Sequence, residues 1–194
     1  AISDSVGNYT VKSLHNHKNT DGTFTLISSA NNKIFKMNFS TSPATSTQQT
    51  FANSPQTITA DNWQWVQYDD DAMAVQKGHK PIHYNQTTGV WSDLEDTTGY
   101  TSPAGVTTFN PSCVLSKYGR MWAAGISEDK ETVFYSKSLE HHKWQGTGSG
   151  AVNMRSVWGY DDIVALESFN GKLIIFGKQN IAIYNDPFDP SAST

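Results

Sequence analysis

The chain has 194 residues, 37% hydrophobic, 12% aromatic and only 16% charged, and its formal charge is −4. Helix surfaces carry more Glu, Lys, Arg and Ala than this, so the composition excludes a helical bundle and favours strands joined by turns. The acidic balance, without any Lys/Arg run along the chain, excludes the electrostatic footprint of a nucleic-acid-binding protein and would repel a polyanion.

In chain order, His15 and His17 of "LHNHKN" come first, alternating as strand neighbours would. Phe24 to Ile27, a turn at Asn31-Asn32 and Ile34 to Met37 predict a hairpin. Ser40 to Ala60 is rich in Ser, Thr and Gln with two prolines, and reads as a long loop or an irregular outer strand. Trp65 to Tyr68, a turn at Asp69-Asp70-Asp71, Met73 to Val75, Gly78 and Ile82 to Tyr84 follow, with Trp91 beyond. Next come Cys113 to Leu115, a turn at Tyr118-Gly119, Met121 to Ala124, Gly125 and Thr132 to Tyr135, with Trp144 beyond. "SKSLEHHKW" predicts at most a single helical turn, and "GTGSG" at 146–150 a flexible connection without a helix after it. The last group is Ile163 to Leu166, a turn at Asn170-Gly171, Leu173 to Phe176, Gly177 and Ile181 to Tyr184.

One template therefore recurs: strand, tight turn, apolar strand, glycine, short loop, strand ending in an aromatic. The turns at 71, 119 and 171 lie 48 and 52 residues apart. Trp91 and Trp144 suggest a fourth, outer strand or a plug. A unit of roughly 40 to 50 residues with three or four antiparallel strands has the size of a β-propeller blade. The expected fold is all-β, a single propeller domain over 1–194 or a part of one, with about four repeats near 21–60, 61–110, 111–158 and 159–186. An incomplete ring would leave strand edges that favour association.

No chemistry-bearing motif survives inspection. Six histidines lack the Cys pairs or HExxH helix of a zinc site, and "HNH" at 15–17 lacks the further ligands of the nuclease motif it spells. Asp69-Asp70-Asp71 could hold calcium but sits where a turn wants Asp; Asp161-Asp162 and Asp186 also flank strands. "SEDKETVF" fails the sialidase repeat at its Gly and Trp positions. GxSxG, Walker and GxGxxG patterns are absent. No catalytic, cofactor or metal residue is expected. The single Cys113 allows no internal disulfide and reads as a small buried residue. Glu128 and Asp129 are expected at a solvated hairpin tip. No apolar run reaches the roughly 20 residues that span a bilayer, and a soluble chain is expected. The start at Ala-Ile-Ser-Asp and the end at Ser-Ala-Ser-Thr suggest a piece of something longer.

Three strings carry a family resemblance: "VQYDDDAMAVQKGHKPIHYN", "SKYGRMWAAGISEDKETVFYSKSLEHHKW" and "DDIVALESFNGKLIIFGKQNIAIYND". They resemble the propeller repeats of the tail nozzle protein (tail tubular protein B) of short-tailed bacteriophages, over residues 60–186 and only faintly before. The resemblance implies a structural virion protein located in the tail, with no active site. Its relatives form a homo-hexameric ring beneath an adaptor protein, anchor fibres in some phages, and pass double-stranded DNA without binding it specifically. They are also much longer than this chain. The alternative is a lectin-like propeller that binds a host glycan through loop 40–60 and aromatics near Trp91 or Trp144.

Overall fold

The computed structural model describes residues 2–3, 8–40, 42, 44–52, 58, 61–185 and 187. The fold is all-β: four antiparallel sheets of three or four strands, plus a two-stranded pair. The chain divides into two compact units, Ala1–Ala74 with Ile82–Asp93, and Val75–Pro81 with Leu94–Thr194.

In the first unit, β1 (Ile2–Ser3) pairs with β2 (Asn8–Tyr9). Strands β3 (Ser13–Lys18), β4 (Phe24–Ala30), β5 (Lys33–Asn38) and β6 (Thr45–Gln48) form one meander in chain order. Strands β7 (Gln64–Tyr68), β8 (Asp71–Val75), β9 (Ile82–Asn85) and β10 (Val90–Asp93) form the other. Ile27, Ile34, Trp63, Ala74, Ile82 and Trp91 meet in its core. Within 40–60, read as a long loop or an irregular outer strand, Thr45–Gln48 is the outer strand β6, while 41, 43, 53–57 and 59–60 lie outside the described residues.

In the second unit, β11 (Cys113–Lys117), β12 (Arg120–Ala124), β13 (Thr132–Tyr135) and β14 (Gly150–Asn153) form a meander. Strands β15 (Ile163–Phe169), β16 (Lys172–Gly177) and β17 (Ile181–Tyr184) form a three-stranded sheet. Alternate residues of both sheets build the core: Cys113 and Leu115, Trp122 and Ala124, Val133 and Tyr135, Leu173 and Ile175. This period of two is what a pleated strand imposes on a buried face. Cys113 is buried as expected; its thiol lies 3.5 Å from the Ala124 carbonyl, and burial pushes its pKa up to about 12.

Three hairpins turn through two consecutive left-handed residues: Asn31-Asn32, Tyr118-Gly119 and Asn170-Gly171. This backbone matches the strand twist, and Asn and Gly tolerate it best. The first sheet departs from the repeat: its Asn31-Asn32 turn joins the second and third strands, because β3 precedes the template. The alternation of His15 and His17 does fall on a strand, β3, which the template leaves out. Trp91 does lie on a fourth strand, β10, whereas Trp144 precedes β14 and packs against Phe109 with ring centroids 4.7 Å apart. "SKSLEHHKW" forms no helix but a bridge between Lys137 and Glu140, and a short α-helix, α1 (Arg155–Trp158), falls where none was expected. "GTGSG" turns through Gly146 and Gly148 and leads into β14.

Candidate functional site

In the interior of the first unit, five rings close a circuit. His15 stacks on Trp65 at 5.7 Å, Trp65 meets Trp91 edge-on at 6.0 Å, and Trp91 meets Tyr84 at 4.8 Å. Tyr84 then meets His17 at 5.4 Å, and His17 returns to His15 at 5.9 Å. The alternation expected of "LHNHKN" places both imidazoles here, on one face of β3. Lys36 Nζ lies 4.0 Å from the Tyr84 ring centroid and donates to its hydroxyl at 2.5 Å. His17 Nε2 is 3.2 Å from Gln86 Oε1.

Burial first, and then the neighbouring His17, lower the pKa of His15 to about 4. Burial also lowers that of His17, aided by Lys36 and opposed by the Gln86 hydrogen bond. Both are therefore neutral rings at physiological pH. His15 Nε2 and His17 Nδ1 are buried without a hydrogen-bond partner. Among the described residues, no three His, Cys, Asp or Glu ligand atoms converge within either unit by itself. The ring circuit is packing chemistry, with its cationic neighbour held by a ring face and a phenol.

The acidic turn divides in two. Asp69, at φ 49°, makes the turn as expected. Asp71 instead opens β8, where its carboxylate accepts the Gln86 N–H at 2.9 Å and lies 3.1 Å from His83 Nε2. Sequence order could not show that, since His83 and Gln86 stand 12 and 15 residues away.

In the second unit, Asp161 is a buried latch. Its Oδ1 accepts the Lys178 N–H at 3.1 Å, and its Oδ2 accepts the Gln179 and Asn180 N–H groups at 3.0 Å each and Asn180 Nδ2 at 2.9 Å. Burial alone would raise its pKa, but these four donors together bring it below the usual carboxylate value. Glu128 sits at the solvated tip expected of it. It is exposed, yet it accepts the N–H groups of Thr107 at 2.8 Å and Thr108 at 3.0 Å, so it ties down a second loop. Trp91 and Trp144 are 1% and 2% exposed, so neither ring is free to serve as a glycan platform.

Two clefts flank the loop between β12 and β13. One, of about 260 Å3, is bordered by Lys77, Lys130 and Lys178 with Ser112 and Ser127; Lys178 pairs with Asp162 at 2.6 Å. The fold thus gathers cations that stand far apart in the sequence. The other, of about 450 Å3, shares Ser127 and Lys130 and is otherwise bordered by Glu128, Asp129, Glu131 and Tyr160, among others.

No family model matches the sequence, and no curated protein matches it. Solved structures do share the fold. The extracellular domain of a hybrid two-component system from B. thetaiotaomicron superposes with a TM-score of 0.59 at 9% identity, over 94% of this chain. This chain spans only 21% of that one. The computationally designed Ika4 protein superposes with a TM-score of 0.52 at 12% identity, over 95% of this chain and 96% of its own. At such identities the likeness concerns the fold alone.

Proposed function

We propose that the four sheets are blades of a β-propeller, and that the chain is a structural component of a short-tailed phage tail. In this reading it belongs to the nozzle through which genomic DNA is retained and ejected. One observation carries the assembly role. The outward face of the β15–β17 sheet carries exposed apolar residues beside Glu167: Ile181 and Ile183 are 66% and 57% exposed, opposite Phe176 and Ile174 in the strand register. Exposed apolar faces of this kind mark contact surfaces. The occupant proposed here is a second copy of the chain, as in the hexameric ring of the resembling family.

The strings that carry the resemblance supply the hairpins β7–β8, β11–β12 and β15–β16, which also fits a framework role. Adaptor and fibre contacts would follow from the same placement, with duplex DNA passing unbound and no catalysis. Immunogold electron microscopy on virus particles, with antibody raised against this chain, tests the reading. Gold at the distal end of a short tail is the expected result. Gold absent from every particle, with the protein present in the same culture, would overturn it.

A further inference from the structure

We propose that the 450 Å3 cleft beside the β12–β13 loop is a saccharide-binding site. Its volume lies within the range of small-molecule clefts. Tyr160 borders it with 74% of its surface exposed, so the ring contributes little to the core and presents an open aromatic face. Such a face, negative at its centre, attracts the polarised C–H groups of a sugar ring. Arg155 stands 5.8 Å from the Tyr160 ring centroid and brings guanidinium donors for sugar oxygens.

The acceptors follow from what is already occupied. Glu128 is engaged by Thr107 and Thr108, and Asn153 by Arg155 and Thr132, which leaves Asp129 and Glu131 for an incoming hydroxyl. Asp129 makes only a long contact, 3.4 Å, with the Glu131 N–H. The Glu131 side chain is 10% exposed; its Oε2 lies 3.8 Å from Arg155 Nε, and its Oε1 is buried with no hydrogen-bond partner. A buried carboxylate oxygen left unpaired is costly, and a hydroxyl donating to it would be a charge-assisted bond. The Arg155 side chain is 67% exposed, so it can shift to admit that donor and still donate to the same ligand.

The chemistry selects a polyol over an ion. Three carboxylates face Lys130 and Arg155, so the charges nearly balance, and among the described residues of this unit no three ligand atoms converge as a metal would need. A ligand that both donates and accepts, and has an apolar face, satisfies all of these groups. The proposal does not depend on a tail location and stands or falls separately from the immunogold result.

Ligand-observed saturation-transfer NMR on the whole chain tests it, with glucose, galactose, mannose, N-acetylglucosamine and glucuronate as probes. At least one should receive saturation, with affinity falling about tenfold or more, the equivalent of about 1.4 kcal/mol, in Tyr160→Ala and in Glu131→Gln. Phe169→Ser, an equally exposed ring outside the cleft, should bind as the parent does. Tyr160→Ala removes an exposed side chain and should keep the parent's circular dichroism, so it decides the matter even if Glu131→Gln misfolds. No transfer to any of the five sugars, or transfer undiminished in Tyr160→Ala, would overturn the proposal.

Discussion

Both units bury one face of a pair of antiparallel sheets, but they fill the space differently. The first packs large rings, two of them imidazoles, around a lysine that lies over a phenol. The second sets Trp122 against Tyr135 among aliphatic and small residues, and holds its loops with a carboxylate that gathers backbone donors. The same strand topology thus accommodates two kinds of interior. Their weak points differ accordingly: removal of a ring and protonation threaten the first, and crowding of backbone the second.

Removing a ring should have the largest effect. Trp91 touches Phe51, Trp65 and Tyr84, and its indole N–H donates to Gln49 at 3.2 Å. Trp91→Ala should cost about 3–5 kcal/mol, as buried Trp truncations do. Denaturant melts should show the loss, and peptide-resolved amide exchange should place it in β7–β10 and β3–β6. Protection lost equally in β11–β17 would dissolve the distinction between the units.

Crowding the backbone is the matching test of the second unit. Gly125 has φ +69°, and a Cβ there would lie 2.0 Å from Ser112 Oγ and 3.1 Å from the Ile163 carbonyl. The serine can rotate but the carbonyl cannot, so Gly125→Val should cost about 2 kcal/mol or more from positive-φ strain and overpacking. Gly177 has no positive φ; there a Cβ would meet Asp161 Oδ2 at 2.2 Å and displace the latch. Gly177→Val should therefore release the protection of the Lys178, Gln179 and Asn180 amides, which Gly125→Val should spare. Unchanged melting in both variants would contradict the packing described for this unit.

A smaller contrast concerns pH. His15 is held at about 4 and His17 below its ordinary 6.5, so the unfolded chain binds protons that the folded one refuses. The stability they contribute is complete above 6.5 and lost as pH falls towards 4. Asp161 has its folded pKa below 3.8, so its contribution persists through that window and is lost only at more acidic pH. Amide exchange at pH 5 should accelerate in β3 and β4 before the 178–180 loop responds. His15→Phe should flatten the first response, and the reverse order of loosening would refute the assignment.

The sequence made the turns and the strand order legible because they depend on local backbone chemistry. Asn31-Asn32, Tyr118-Gly119 and Asn170-Gly171 announce left-handed turns without reference to anything distant. What depends on contact across the fold stayed hidden. Gly125 and Gly177 look equivalent in the repeat, yet one is needed for φ and the other for the room it leaves a carboxylate. β3 showed only in the alternation of His15 and His17, and the burial of those imidazoles depends on the partner rings. The cleft beside Tyr160 depends on residues from 127 to 160 meeting around one loop, and no motif spacing records that.

The smallest expected effect is at Glu128. A solvated hairpin tip would tolerate Glu128→Ala without change, but this carboxylate accepts two backbone N–H groups from the segment before β11. Water can replace it at so exposed a position, so the cost should stay near 1 kcal/mol or below, within the usual net value of such bonds. The informative readout is local: the Thr107 and Thr108 amides should exchange faster, while Asp161 keeps the 178–180 amides protected. Glu128→Gln, which retains one acceptor oxygen, should restore part of the protection. If Thr107 and Thr108 exchange at the parent's rate in Glu128→Ala, the loop is held by its own turn at Pro103–Val106 rather than by the carboxylate.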